Sequence, residues 1–414
     1  MTEHEQTRDP GRPWPETTLP STPAGQQLRA YLAAVNTGSP EALHHFITTH
    51  YETLRTDSAP PDVYAWWHVV AQRTTGGLRP THIEEATPTT LRVRAEPLAP
   101  LCPLPAGCAI TVTVSEEAPY PLTALSTEPI LPPASWADIG DRRLAYTRMG
   151  TGAPTVVLEA GWGWGRWAWA WIVAGVAALT QVVTYDRAGV GESDPVSPAP
   201  RGAKHMADDL AALLTTAGIP GPYIVVGHSL GGLIARVFTR DHPDQVAGMV
   251  LIGAVHEEAW GGGEHALLPP QTPDEHPGIT GWRQWLSQGM YEWATLPEYL
   301  DATASVAEGR ACGPLGDRPL VVIRAGNYAP PPDFPQDSAA AIEELHRTIH
   351  FSFTHLSSES AYVVAERSGH IVQYDEPEVV LAAILRVVAA VRSHGAEGGY
   401  RLDAYLDSAL WGRP

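Results

Sequence analysis

Basic side chains are scarce in this sequence of 414 residues. Lys and Arg together number 27 against 46 Asp and Glu, which gives a formal net charge of -19. Nucleic acids and anionic bilayers are bound through clusters of Lys and Arg. The charge balance therefore argues against a nucleic-acid partner and against a membrane partner.

Cysteine and long apolar runs are scarce as well. The three cysteines are Cys102, Cys108 and Cys312, and an odd, small number fits a reducing compartment better than a disulfide framework. No run approaches the ~20 apolar residues that span a bilayer, and the polar N-terminus lacks the apolar core of a signal peptide. We therefore expect a cytoplasmic protein.

Sequence motifs for cofactors and metal ions are missing too. The sequence contains no P-loop and no HExxH zinc motif, and the glycines of 161–165 lack the G-x-G-x-x-G spacing of a dinucleotide site. His44, His45 and His50 have no carboxylate or Cys in a metal-like register. We predict that the protein uses no cofactor and no metal ion.

Composition and length indicate two globular domains. Hydrophobic residues make up 44% and charged residues 18% of the chain, and 414 residues exceed one typical core. Residues 1–22 are polar and Pro-rich and are predicted to form a disordered leader. Residues 23–130 begin with apolar positions at helical spacing and continue as alternating β-branched segments, which predicts a small α+β domain.

Helices followed by strands in residues 23–130 resemble the NTF2-like domains that sometimes precede serine hydrolases. The resemblance implies a packing module, including a homodimer formed through this domain, or a second pocket that helps to bind substrate. A Pro-containing joint at 128–135 separates this domain from the rest of the chain.

Residues 136–395 alternate short apolar segments with helical ones. The apolar segments are continuous, as is typical of strands buried on both faces of a parallel sheet. The predicted strands are 155–161, 181–186, 223–228, 247–254, 319–326 and 361–369, and the predicted helices are 202–217, 231–241, 338–349 and 376–393. The pattern predicts an α/β fold with a mostly parallel sheet and helices on both faces. An insertion at about 257–317 predicts a helical cap, and residues 396–414 a C-terminal extension.

The strongest motif lies between a predicted strand and a predicted helix. Gly227, His228, Ser229, Leu230 and Gly231 form the G-x-S-x-G pattern, in which a sharp turn exposes the serine hydroxyl. Glycines let the strand and the helix approach each other, and the helix N-terminus favours the negative charge of an oxyanion. The motif therefore predicts a nucleophilic serine at position 229.

Four segments in this order resemble the α/β-hydrolase family over residues 136–395. They are VVLEAGWGWG at 156–165, YDRAGVGESD at 185–194, GHSLG at 227–231 and SGHIVQYDEPEVV at 368–380. The resemblance implies a serine hydrolase in which His370 takes the proton of Ser229 and returns it to the leaving group. It also implies an oxyanion hole formed by the backbone N–H groups of Trp162 and Leu230.

The acid that would orient His370 departs from the family pattern. After the strand 319–326 the family usually has Gly-x-x-Asp, but here Ala329 stands in the place of the Asp. The alternative place, at the end of the strand 247–254, holds Gly253. Three interpretations remain open: Glu257 or Glu258 supplies the acid, Asp333 supplies it, or a Ser–His dyad works without an acid.

Tryptophan is concentrated beside the predicted oxyanion loop and in the predicted cap. The segment GWGWGRWAWAW contains five of the chain's 14 tryptophans, and Trp164, Trp167 and Trp171 would share one face of a helix. Trp282 and Trp285 follow at helical spacing in the cap. These side chains form either a buried packing face or an aromatic wall for substrate, to which Trp164, Trp282 and Trp285 would belong.

Together these features predict a cofactor-free serine hydrolase. It would cleave or transfer the acyl group of a bulky apolar ester, thioester or lactone through an acyl-enzyme on Ser229. An internal nucleophile of the substrate would make it a cyclase that tailors a secondary metabolite. The alternative is a non-hydrolytic binding or scaffold protein that keeps the fold without the triad acid. The expected partner is a small apolar molecule.

Overall fold

The computed structural model describes residues 19–51, 68–69, 71–100, 107–272, 275, 279–280, 283, 297–327 and 335–397. The chain divides into two compact units, residues 1–130 and 131–414. Four predicted features lie outside the described residues: the leader up to residue 18, Trp282 and Trp285 of the cap, Asp333, and the C-terminal extension from residue 398. Of the helices that are described, none has the length and hydropathy to cross a membrane.

Within its described residues, the first unit joins two complete helices and a helical stretch at 71–75 to a four-stranded antiparallel sheet. The elements are α1 (Pro23–Val35), α2 (Pro40–His50), β1 (Leu78–Ala86), β2 (Thr90–Pro97), β3 (Cys108–Val114) and β4 (Leu122–Pro129). Each helix begins with a proline, and the hydroxyls of Thr22 and Ser39 accept hydrogen bonds from the first turns. The strands pair in chain order and contact α1. The NTF2-like character of this unit and its homodimer stay predictions.

The second unit is built on an eight-stranded sheet. Its strands are β5 (Ser135–Asp138), β6 (Arg143–Met149), β7 (Thr155–Glu159), β8 (Val182–Tyr185), β9 (Tyr223–His228), β10 (Val246–Ile252), β11 (Leu320–Ala325) and β12 (Ser360–Ala365). They lie in the order β12-β11-β10-β9-β7-β8-β6-β5. The pairs from β12 to β8 are parallel, whereas β6 pairs antiparallel with both β8 and β5. The carboxyl ends of the parallel strands therefore share one edge, where ligands bind in such sheets.

Helices cover both faces of this sheet. They are α3 (Val173–Ala177), α4 (Ala203–Thr216), α5 (Leu230–Asp241), α6 (Glu264–Ala266), α7 (Ala302–Arg310), α8 (Gln336–Ser352), α9 (Val372–Asp375) and α10 (Pro377–Glu397). A β-carbon on Gly248 of β10 would meet Val387 of α10 at 2.6 Å. The next residue, Met249, belongs instead to the buried cluster that α4 and α5 form. Because successive strand residues point to opposite faces, the two helix layers lie on opposite sides.

The predicted α/β fold is confirmed, and the six predicted strands correspond to β7 through β12. The hairpin β5–β6 was not predicted, because its short half-buried strands carry no continuous apolar run. The predicted helix through the tryptophan-rich segment is wrong. Only the residues from Arg166 to Trp169 form a short 3-10 helix, and Trp171 is buried whereas Trp167 is 42% exposed.

The chain between β10 and β11 contains the predicted cap. Within it the structure describes a π-helical turn at Ala259–Gly263 and the helices α6 and α7. The turn and α6 carry side chains to the carboxyl-end edge of the sheet, where Trp260 and Glu264 line the same cavity as Ser229.

Candidate active site

Ser229 stands at the turn between β9 and α5. Its backbone has φ 53° and ψ -121°, a conformation that is strained for a residue with a side chain and persists only where its neighbours hold it. Its N–H donates to the carbonyl oxygen of Ile252 at 3.0 Å, and its own carbonyl accepts from the N–H groups of Gly232 and Val255 at 3.0 and 2.9 Å. These three bonds hold the serine in the turn that the G-x-S-x-G motif predicts.

The glycines of the motif are required by the close approach of the backbones. A β-carbon on Gly231 would lie 2.2 Å from the carbonyl oxygen of Glu159, and one on Gly227 would lie 2.4 Å from the carbonyl oxygen of Gly231. Real side chains do not tolerate such distances, and the atoms in the way belong to the backbone. Any larger residue at either position would push α5 away from the sheet and displace the serine.

His370 follows β12 in a loop that other residues anchor. The N–H of Gly369 donates to Oδ2 of Asp375 at 2.8 Å. Nε2 of His228 lies 2.9 Å from the carbonyl oxygen of His370, and because a carbonyl only accepts, this nitrogen carries the proton and donates. The loop of His370 is thereby attached to β9, the strand that precedes Ser229, and the rings of His228 and His370 lie 4.9 Å apart.

The rings of both histidines are neutral near pH 7. The pKa of His370 is lowered to about 4, chiefly by burial and then by the neighbouring rings of His350 and His346. The pKa of His228 is lowered to about 3, again chiefly by burial. A neutral His370 is in the protonation state that a general base needs.

Glu257 does not lie where a triad acid would lie. Its Oε2 accepts from Nη1 of Arg236 at 2.7 Å and its Oε1 from Nη2 at 3.1 Å. Although burial acts to raise it, the hydrogen bonds and charge of Arg236 lower the pKa of Glu257 to about 2. The prediction that Glu257 orients His370 therefore does not fit the structure, because a buried arginine occupies both carboxylate oxygens. Its neighbour Glu258 is exposed.

Gly253 is the residue that faces the ring of His370 from the end of β10. A β-carbon at this position would lie 3.5 Å from Nδ1 of the histidine. The backbone of Gly253 has φ 46°. The second place in which the family puts its acid therefore faces the correct ring nitrogen but offers no carboxylate.

The predicted oxyanion donors lie on two different elements. Leu230 is the first residue of α5, and the first N–H groups of a helix have no acceptor within the helix. Trp162 lines the same cavity as Ser229. The loop of Trp162 is fixed by Arg187, which donates from Nη1 to the carbonyl of Ala160 and from Nη2 to the carbonyl of Gly161, both at 2.6 Å.

Glu298, in the predicted cap, also holds the oxyanion loop and was not predicted. Its Oε1 accepts from Nε of Arg187 at 2.6 Å, and its Oε2 accepts from the N–H of Gly163 at 2.6 Å. Only 1% of Glu298 is exposed. Arg187 is bound on its other side by Glu159 at 2.7 Å. Arg187 belongs to the segment YDRAGVGESD at 185–194, which was a sequence signal for this network, but nothing in the sequence identified its partner Glu298.

Ser229 opens onto a cavity of about 420 Å³, a size that suits a small-molecule ligand. One part of its lining is apolar and aromatic, and another part is polar. The apolar part includes Trp162, Trp260 and Ile349, and the polar part includes Glu264, His346 and His350.

Trp164 does not line this cavity. Its ring stacks on Trp167 with centroids 4.5 Å apart and meets the edge of Tyr374 at 5.8 Å. The prediction of Trp164 as a substrate-binding side chain is therefore not supported for this cavity. Trp162 and Trp260 supply its aromatic wall instead, with their rings edge to face at 6.3 Å.

Residues 154–320 match a family model described as alpha/beta hydrolase fold. By sequence, YqjL of Bacillus subtilis (strain 168) is 27% identical over 249 residues, which are 60% of this chain and 89% of that protein. An AB hydrolase superfamily protein of Gibberella zeae is 25% identical over 294 residues, which cover 58% of this chain and 87% of that protein.

Solved structures with a similar fold include a thermophilic esterase from Thermogutta terrifontis. It is 22% identical with a TM-score of 0.41, and the match covers 62% of this chain and 98% of that one. VinJ is 20% identical with a TM-score of 0.47, and the match covers 63% of this chain and 100% of that one.

Proposed function

The second unit of this chain has the α/β-hydrolase fold, and we propose that it is a serine hydrolase that forms an acyl-enzyme on Ser229. The observation that supports this most directly is the strained turn of Ser229, which faces a cavity shared with a neutral, buried histidine. The substrate class is an ester, thioester or lactone with an apolar chain, since Trp162, Trp260 and Ile349 line that cavity.

In the proposed first half-reaction, Oγ of Ser229 attacks the carbonyl carbon of the substrate while His370 takes the hydroxyl proton. The N–H groups of Leu230 and Trp162 receive the negative charge on the tetrahedral oxygen. Collapse of this intermediate expels the alcohol or thiol, which takes the proton from His370. Water then repeats the sequence and releases the acid, unless an internal nucleophile of the substrate closes a ring instead.

Two anchors support the positioning of His370 in the proposed reaction. The N–H of His228 holds the backbone of His370, and Asp375 holds the residue before it. Thioesters and aryl esters have better leaving groups than alkyl esters and amides, and we expect them to react faster.

A fluorophosphonate probe tests the nucleophile. We expect the wild-type protein to be labelled and Ser229→Ala to remain unlabelled. Ser358→Ala is the matched control, because Ser358 is exposed and does not line the cavity. Mass spectrometry of an aryl-ester reaction should show the acyl-enzyme and, at later times, either the free acid or a cyclised product.

Absence of labelling in a folded wild-type sample would overturn this proposal. It would favour a binding or scaffold protein on the hydrolase fold, which the missing carboxylate at Gly253 also fits. Labelling that persists in Ser229→Ala would mean that another residue carries the chemistry.

A further inference from the structure

The polar part of the cavity is built from Glu264 and two histidines of α8. Glu264 is 4% exposed, His346 6% and His350 5%. Nε2 of His346 lies 2.8 Å from Oε1 of Glu264. Since burying a carboxylate without a cation is costly, a group that the proposed hydrolysis does not use needs a reason to stand in the substrate cavity.

Two hydrogen-bond acceptors on this polar part receive no hydrogen bond from the residues that the structure describes. Oε2 of Glu264 accepts no hydrogen bond from any residue that the structure describes. Nδ1 of His350 lies 2.7 Å from the carbonyl oxygen of His346, so Nδ1 carries the proton of that ring. Burial is the chief cause that lowers the pKa of His350 to about 3, which leaves its Nε2 as a neutral acceptor. A ligand that satisfies both groups must bring donors.

The charges around the cavity favour a positive donor over a neutral one. Arg324 is the cationic side chain among the described lining residues, and its guanidinium is bound by Glu343. Among the residues that the structure describes, the partner of Glu264 is the ring of His346. An ammonium group is therefore the donor that best completes the site, because charge-assisted bonds to a carboxylate are the strong ones in a dry environment.

A metal ion is a poorer match for this cluster. Within the described ranges, no group of three His, Cys, Asp or Glu side chains is arranged so as to hold a metal ion. Nε2 of His346 and Oε1 of Glu264 face each other, and Nδ1 of His350 faces a carbonyl oxygen, so one ligating atom of each side chain is already engaged.

We infer that the substrate of this site carries a primary amine, held as an ammonium ion between Glu264 and His350 and joined by an apolar chain to the carbonyl that Ser229 attacks. This inference rests on the proposed function, since it names the substrate class of the same site. The apolar chain contacts Trp162, Trp260 and Ile349, and the ammonium donates to Oε2 of Glu264, which accepts no hydrogen bond from the described residues.

Matched ester pairs test the inference. The p-nitrophenyl esters of 6-aminohexanoate and 8-aminooctanoate are compared with those of heptanoate and nonanoate, which have the same chain length but end in methyl. The wild-type enzyme should prefer the amine in kcat/KM by about tenfold or more for the better-fitting length. Glu264→Gln, which keeps the size and an acceptor for His346, should lower kcat/KM for the amine ester far more than for the methyl ester and so remove most of that preference.

Glu258→Gln is the control, because it removes the same charge from an exposed side chain nearby that does not line the cavity. It should leave the amine preference unchanged. If the enzyme hydrolyses both esters equally, or if both variants lower the preference alike, the inference is wrong while the proposed function stands.

Binding without catalysis separates the two proposals. In Ser229→Ala, hexylamine should raise the melting temperature more than 1-hexanol does, and adding Glu264→Gln should abolish the difference. This readout remains if no ester is turned over, in which case the proposed function fails but the ammonium site stands. Equal shifts with the amine and the alcohol would overturn the ammonium site.

Discussion

Gly253 shows how much one missing side chain determines in this site. Its position faces Nδ1 of His370, where a carboxylate would fix the tautomer and stabilise the imidazolium ion. Burial, and then the neighbouring rings of His350 and His346, lower the pKa of His370 to about 4. The rate of hydrolysis should therefore remain high down to weakly acidic pH. His370 becomes protonated and stops acting as a base only as the pH falls through about 4.

Replacing Gly253 by Asp should raise the pKa of His370 by about one unit or more, because a neighbouring negative charge favours the protonated ring. The left-handed backbone at φ 46° is one that Asp tolerates better than most residues. The acid limb of kcat/KM against pH, measured with an aryl ester between about pH 3.5 and 8, should move upward from about 4.

Gly253→Asn is the matched control for this change. It has the same shape and the same backbone tolerance but no charge, so it should leave the acid limb near the wild-type position. An equal shift in both variants would show that the added side chain alone, and not its charge, alters the titration of His370.

The sequence predicted the positions of some site residues well and those of others poorly. Ser229 occupies the predicted turn, and His370 reaches the same cavity from the predicted loop. Glu257 was misplaced because its choice rested on chain proximity to β10. A carboxylate side chain orients toward its strongest available partner. For Glu257 that partner is Arg236, which lies on α5 at a position that no sequence motif marks.

The cap and the oxyanion loop are coupled through one buried carboxylate. Glu298 contacts both Arg187 and the N–H of Gly163, so the loop that carries Trp162 depends on an element from a different part of the chain. Arg187 in turn holds two carbonyl oxygens of the same loop. The position of Trp162, the proposed second oxyanion donor, is therefore set by Glu298 as well as by the sheet.

Glu298→Gln should lower kcat by about 100-fold with little change in KM, because the loss concerns a donor that acts on the transition state. In the wild-type protein the two carboxylate oxygens of Glu298 accept from Arg187 and from the N–H of Gly163. The side-chain amide of Gln has only one oxygen, so one of these two donors loses its acceptor. Steady-state kinetics with an aryl ester would show this split, and a boronic acid that mimics the tetrahedral oxyanion should bind correspondingly more weakly.

Circular dichroism and Glu258→Gln control this experiment. The exposed Glu258 lies in the same insertion, and its replacement should leave both kinetic constants unchanged. A rise in KM with unchanged kcat in Glu298→Gln would contradict the positioning role and would place Glu298 in ground-state binding.

Buried neutral histidines shape the acid stability of the whole molecule. Burial is the chief cause that lowers the pKa of His68 and His370 to about 4 and that of His228 and His350 to about 3. Unfolded histidine binds its proton near pH 6.5, so stability is complete above that pH and is lost as the pH falls toward 4. Glu159 and Asp186, whose pKa values burial raises, oppose this loss in part.

We expect the urea midpoint of unfolding to fall from pH 7 to pH 5 at a constant slope m. Each histidine contributes up to about 1.4 kcal/mol per pH unit to the free energy of unfolding. His350→Gln should make the pH dependence shallower, whereas His355→Gln, at an exposed position, should not. A midpoint that stays constant or rises on acidification would show that the carboxylates outweigh the histidines.

The α/β fold and the nucleophile turn were determined by the sequence alone, because both depend on near neighbours. A strand buried on both faces needs a continuous apolar run, and the turn at Ser229 needs Gly227 and Gly231 within two residues. Such requirements appear as periodicity and spacing, which a single sequence displays.

Only the tertiary structure decided which distant side chains meet. Glu264 and His346 are 82 residues apart in the chain, and Glu298 and Arg187 are 111 apart. The ends of the insertion between β10 and β11 bring these partners to the site, and an irregular segment has no period from which its direction can be inferred. That Gly253 and Ala329 stand where the family has its acid was visible in the sequence, but that Gly253 faces the histidine while Glu257 pairs with Arg236 became clear only once the chain was packed.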